Sequence, residues 1–131
     1  MITISDDSGL EVKALKYKPG IYSARWAKRM GGFTKAMSKI LKLIKKKKDR
    51  EAYFVCALCV SFPNGKIVSS VQRLKGKISF KIKGKKGFGY DSIFIPHKKK
   101  NTFGQMNRSN KMKIDHRYLA FRKLIKKTNI F

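Results

Sequence analysis

The stretch Ala52 to Phe62, AYFVCALCVSF, is apolar almost without a break, too continuous for a strand that shows one face to water. It stops at Pro63-Asn64-Gly65, and a second run follows from Lys66 to Lys75. That pattern predicts a long β-hairpin whose first arm is buried. Thr34 can cap a helix in which Met37, Ile40, Leu41 and Ile44 recur at helical spacing, ending near Lys47. Near the other end, Ile114, Tyr118, Phe121 and Ile125 share one stripe of a helix expected to pack on the sheet. Ile2 and Ile4 begin a strand that is expected to deliver acids to a turn within Ser5 to Leu10. Further strands are expected across Lys77 to Lys83 and at Ile93 to Ile95, with a glycine-bearing loop from Gly84 to Tyr90 between them. Pro19-Gly20 reads as a turn and Gly31-Gly32 as a loop. With 131 residues and no repeat or linker, the chain is expected to form a single mixed α/β domain.

The charge is heavily one-sided: 33 basic residues against 7 acidic ones, a net charge of +26. Polyanions feel such a field, so a basic nucleic-acid-binding domain is one functional class to weigh. The excess is mainly lysine, 26 against 7 arginines, spread along the chain with runs at Lys45 to Lys48 and Lys98 to Lys100. Lysine on solvated faces accounts for the same composition equally well. Cys56 and Cys59 form a C-x-x-C inside the apolar run. Three apart on a strand they point to opposite faces, which predicts structural thiols and no disulfide. No apolar run approaches bilayer length and no basic segment with an apolar signal core follows Met1, so a soluble cytoplasmic protein is expected.

Acids are so few that each is informative. Asp6 and Asp7 are adjacent; one can meet a metal while the other binds structure, or the pair can simply serve Asp-Ser-Gly turn chemistry. GKKGFGYD, Gly84 to Asp91, joins three glycines, two lysines, two aromatics and an acid. Its amides can approach phosphate and an aromatic can stack on a base, or it is a plain loop; it is no Walker motif. His116-Arg117 places two planar donors side by side, able to read a base or hold a phosphate, or to sit exposed at a helix start beside Asp115.

Taken together, SDDSGLEVKAL, KPGIYSARWA, AYFVCALCVSFPNGK, GKKGFGYDSIFIP, TFGQM and KMKIDHRYLAF, in this order, resemble the inosine/xanthosine triphosphate pyrophosphatase family along nearly the whole chain. The resemblance implies an elongated α/β fold with a central sheet flanked by helices, and a homodimer. It implies Mg²⁺-dependent hydrolysis of dITP, ITP and XTP to the monophosphate and pyrophosphate. Asp7 would be the general base and a metal ligand, with Asp6 its acidic neighbour at the metal and Ser8 a substrate contact. Phe88, Gly89, Tyr90 and Asp91 would form the nucleotide-binding loop, Lys111 would meet the substrate, and His116 with Arg117 would favour a 6-oxo purine. Some of the family pattern differs. Gln105 stands where an acid is common, Ser92 where proline is usual, and Asp115 where serine precedes the His-Arg pair. An initial strand with T-x-N-x-x-K and a following helix with a metal-binding glutamate have no counterpart before Met1. A catalytically incomplete nucleotide-binding fragment is the alternative that this difference implies.

Overall fold

The computed structural model describes residues 2–114 and 121–126. Among these, β1 (Thr3–Val12), β2 (Lys18–Gly20), β3 (Glu51–Ser61), β4 (Ile67–Ile78) and β5 (Phe94–Pro96) form one sheet in the order β2-β1-β3-β4-β5. Every pairing is antiparallel. Helices α1 (Ser23–Met30), α2 (Phe33–Leu43) and α3 (Arg108–Ile114) complete an α/β fold, and residues 121–126 are also helical.

The apolar run became the centre of the sheet. β3 pairs with β1 from Ala52 to Ser61 and with β4 along its whole length, so its backbone groups are satisfied on both edges. On one face Ala52, Phe54, Cys56, Leu58 and Val60 are buried, and the residues between them are half-buried. The second face, with Tyr53, Val55, Ala57 and Cys59, is apolar although only half-buried. The Phe62 N–H donates to the Lys66 carbonyl at 2.9 Å, closing the expected turn.

The core lies on that single face in two clusters. The larger gathers Leu10, Val12, Ile40, Ile44, Phe54 and Phe94 beneath α1 and α2. The rings of Phe54, Phe94 and Phe103, from three separate segments, pack with centroids 4.2, 5.9 and 5.6 Å apart. Each such pair contributes about 0.5–1.5 kcal/mol beyond area burial. The smaller cluster joins Cys56, Leu58 and Val60 to Leu124, so the helical residues near the end of the chain do pack on the sheet. Ile114 and Tyr118, which share the expected stripe with Phe121 and Ile125, fall where side chains or backbone lie outside the described residues.

Several elements depart from the sequence expectation. β1 does not end at its acids but runs through them to Val12, because its backbone bonds to β3 persist past Asp6 and Asp7. The third strand expected across Lys77 to Lys83 is not a separate element: β4 continues to Ile78 and the chain then leaves the sheet. Pro19-Gly20 lies in the short strand β2, paired with Leu10 and Glu11. α2 starts one residue before Thr34, with Gly32 as its N-cap, and stops at Leu43 rather than near Lys47. α1 was not anticipated. Cys56 is buried and Cys59 half-buried, on opposite faces of β3 as the strand alternation requires.

One contact chain sets the place of everything around the mouth of the larger cluster. A Cβ at Gly9 would lie 2.3 Å from the Gly20 carbonyl oxygen, so only glycine admits the approach of β2 and the start of α1. The Leu10 N–H then donates to the Ser23 hydroxyl at 2.8 Å, and that hydroxyl donates to the Gly20 carbonyl at 2.7 Å. From the far side, the Tyr90 hydroxyl donates to the Ser23 carbonyl at 2.7 Å, tying the glycine loop to α1. Phe33 meets the Tyr90 ring edge-on at 5.2 Å.

Two outcomes follow from this chain. Gly9→Ala is expected to lose about 1–3 kcal/mol or more in urea unfolding; a variant as stable as the parent contradicts the close approach. Burial pushes the Tyr90 phenol up to about 12. A group raised in the folded state contributes stability that is complete below its ordinary pKa near 10 and lost as the pH rises through the raised value. An absorbance titration of tyrosinate should therefore show a late phase that Tyr90→Phe removes.

Candidate active site

β1 offers a different carboxylate to each side of the sheet. Asp6 stands opposite Leu58 and Ser8 opposite Cys56, on the core face, whereas Asp7 stands opposite Ala57 on the other. The contacts agree: the Ser8 hydroxyl donates to Asp6 Oδ1 at 2.9 Å, and the Cys56 thiol donates to the same oxygen at 3.3 Å. Because the strand is regular through both acids, their side chains leave the backbone in opposite directions and do not form a pincer for one ion. Among the described residues, no three His, Cys, Asp or Glu side chains are grouped as metal ligands. Asp7 is exposed and lines a small cavity of about 90 Å³ with Ser8, Gly9 and Glu11.

Ser8 and Gly9 also line a cavity of about 140 Å³ on the core face. Its floor includes Leu10 and Phe54, and its walls include Ser23 and Phe33. The glycine loop closes it with Phe88, Gly89, Tyr90 and Asp91. The two cavities therefore meet at the backbone of Ser8 and Gly9, with Asp7 at one side and an aromatic loop at the other.

The loop keeps its shape through a carboxylate folded beneath it. Gly87 has φ +77°, and a Cβ there would stand 2.2 Å from Asp91 Oδ2. That oxygen accepts the Phe88 N–H at 2.9 Å and the Lys111 ammonium at 2.6 Å. The Asp91 and Lys111 side chains are 5% and 11% exposed. Removing one partner of such a pair strands a buried charge and costs about 3–5 kcal/mol. The same ammonium lies 4.6 Å from the centre of the Phe88 ring, so α3 holds both the acid and the aromatic of the loop. Phe88 itself remains 60% exposed at the cavity mouth, a large apolar ring kept toward solvent by a rigid support.

Two departures from the family pattern have structural occupations here. The Ser92 hydroxyl donates to the Gly84 carbonyl at 2.9 Å, fastening the start of the loop. Gln105 Oε1 accepts the Thr102 N–H at 3.0 Å, an acceptor role an acid would fill equally. Thr102 in turn donates through its hydroxyl to the Lys83 carbonyl at 2.6 Å.

The structure thus gathers Ser8 and Phe88 to Asp91 around one cavity, with Lys111 attached through Asp91 and Asp7 next door. Asp6 belongs to the Ser8 and Cys56 group. His116 and Arg117 lie outside the described residues, as does Asp115. Ser23, Phe33 and Cys56 were not anticipated as neighbours of the site. Ser23 opens a helix too short for its periodicity to register, and Cys56 was visible only as one more apolar position of β3.

Known proteins share this arrangement of elements. A solved structure of the Ham1 protein of Staphylococcus aureus matches 98% of this chain and 67% of its own with a TM-score of 0.90 at 37% identity. A HAM1 protein from Coxiella burnetii gives a TM-score of 0.89 at 28% identity, over 98% of this chain and 68% of its own. Among curated sequences, a dITP/XTP pyrophosphatase of Caulobacter vibrioides is 44% identical over 92% of this chain and 63% of its own length. A protein of the same name from Acholeplasma laidlawii is 42% identical over 88% and 57%. The chain thus spans about three fifths of the length of these curated relatives. The Ham1 family model matches residues 1–127, and with these relatives it establishes that the chain belongs to the Ham1 family.

Proposed function

We propose that this chain carries the nucleotide-hydrolysing site of a purine nucleoside triphosphate pyrophosphatase acting on deaminated purines such as dITP, ITP and XTP. The observation that carries the proposal is the convergence of Ser8 and the Phe88 to Asp91 loop, which Lys111 holds through Asp91, on one cavity that adjoins Asp7. Relatives named dITP/XTP pyrophosphatase supply the substrate class.

The residues divide the work by position. The Phe88 ring, exposed and braced by Lys111, stacks on the base. At about 140 Å³ the cavity is smaller than the roughly 300–1,000 Å³ of whole-ligand pockets, so it suits the base end while the phosphates extend along Ser8 toward Asp7. The amides of the glycine loop supply donors for the nucleotide, and Ser8, whose hydroxyl proton is given to Asp6, contacts it from β1. Asp7 accepts a proton from water as the water oxygen bonds to the α-phosphorus and the bridging bond to pyrophosphate breaks. His116 and Arg117 are assigned the 6-oxo group of the purine, where a paired donor set rejects a 6-amino base strongly.

A divalent ion fits the donor set in one way. Mg²⁺ takes one or two carboxylates and fills its remaining positions with water and substrate phosphate. Asp7, exposed beside a cavity, suits an ion that arrives with the triphosphate, and Asp6, turned to the other face, keeps Ser8 and Cys56. When bound, the ion would neutralise phosphate charge and lower the pKa of water. Pairing of two copies into a homodimer is part of the same proposal.

Pyrophosphate release from dITP, XTP, dATP and dGTP tests it. Selective release from dITP and XTP with Mg²⁺, abolished by chelation, is expected, and Asp7→Asn should lower kcat at least about 100-fold. Phe88→Ala should raise KM more than it lowers kcat, since a stacked base is held in ground and transition states alike. Full activity in Asp7→Asn would remove that residue from water activation.

A further inference from the structure

A larger concavity lies away from the Ser8 and Phe88 cavity and, among the described residues, shares no lining residue with it. It is a groove of about 650 Å³ along the β4 and β5 edge of the sheet. Lys48, Arg50, Lys75, Lys77, Lys83, Lys98 and Lys99 line it together with His97, and Glu51 is the one acid among the described residues of its walls. That acid is already matched, with Lys75 at 3.5 Å and Lys13 at 3.8 Å.

Charge alone would describe a solvated surface. Phe80 distinguishes the groove from one. The ring is 84% exposed, the most exposed of the large apolar side chains described, in a position where the chain has just left β4. It is also held there. Arg50 donates through Nε to the Ile78 carbonyl at 2.8 Å and through Nη2 to the Ser79 carbonyl at 2.6 Å, which fixes its guanidinium plane. The guanidinium carbon then sits 4.3 Å from the Phe80 ring centre. A cation locked by two backbone carbonyls thus supports an aromatic ring within a trough of lysines.

We infer that this groove binds single-stranded nucleic acid, with the lysines along the phosphates and a base stacked on Phe80. A charged groove with an aromatic platform is the arrangement that binds single strands irrespective of sequence. A duplex keeps its base faces covered and leaves such a ring without a partner. A second copy of the chain is a poor occupant of this groove, whose walls concentrate the positive sign that each copy carries in excess, and the proposed pairing of two copies would use another face.

Fluorescence anisotropy with a labelled oligouridylate of about 15 nucleotides measures the binding on the full chain. The expected slope of log K against log salt is about −3 to −5, for roughly four to seven phosphates neutralised. Phe80→Ala should weaken the oligonucleotide about tenfold. It should leave inorganic polyphosphate binding unchanged, because polyphosphate has charge and no base. A triple Lys77→Gln, Lys83→Gln, Lys98→Gln variant should weaken both ligands more than a triple Lys28→Gln, Lys39→Gln, Lys42→Gln variant of equal charge. Equal losses in the two triples would mean a diffuse field and overturn the assignment. So would an unchanged oligonucleotide affinity in Phe80→Ala, or a duplex that binds as tightly as the single strand. Phe80 is too exposed for its truncation to unfold the protein, and circular dichroism of each variant confirms this directly.

Discussion

The whole arrangement hangs on β3. A strand bonded on both edges over ten or more residues fixes the register of its neighbours, and here that register decides which side of the sheet each β1 side chain meets. Sliding β1 by one residue would send Asp7 to the core face and Ser8 away from the cavity. The apolar face of β3 prevents the slip, because Leu10 and Val12 must stay opposite Phe54 and Ala52. Hydrophobic burial thus sets the position of the polar site, and two core residues, Leu10 and Phe54, form the floor of its cavity.

The site is assembled from segments that the chain keeps far apart. β1 brings Asp7 and Ser8, α1 brings Ser23, the loop after β4 brings Phe88 to Asp91, and α3 brings Lys111. What joins them is a small number of bonds with no slack: the bare Gly9 backbone against Gly20, the Ser23 bridge to Leu10, the Tyr90 bond to Ser23, and the Asp91 to Lys111 pair. The buried ion pair carries little net stability by itself, since desolvation offsets attraction. Its contribution is geometric, holding the Phe88 ring in place.

Much of this was legible in the sequence, for reasons that differ by element. The β3 and β4 hairpin followed from an unbroken apolar run stopped by Pro63-Asn64-Gly65, and α2 from helical spacing. β1 was legible only in its first residues, because Ser-Asp-Asp-Ser-Gly has turn chemistry and its strand bonds come from a partner fifty residues away. The strand expected over Lys77 to Lys83 has β-compatible alternation, yet β5 pairs only with Gly76 to Ile78 and nothing in local sequence states where that partner ends. Among the candidate site residues, Asp7, Ser8 and the glycine loop are legible through their motifs. Ser23 and Cys56 act through backbone and carboxylate contacts that have no sequence signature. The basic groove was visible only as excess lysine; its placement around Phe80 required the fold.

The proposed function requires that the cavity under Phe88 receive a purine nucleotide whose phosphates reach Asp7. A crystal structure of the chain with ITP and a divalent ion measures this directly. The base is expected against the Phe88 ring and the α-phosphate beside Asp7, with Asp6 still bonded to Ser8. A nucleotide bound elsewhere, or one whose phosphates lie on the face of Asp6, would contradict it.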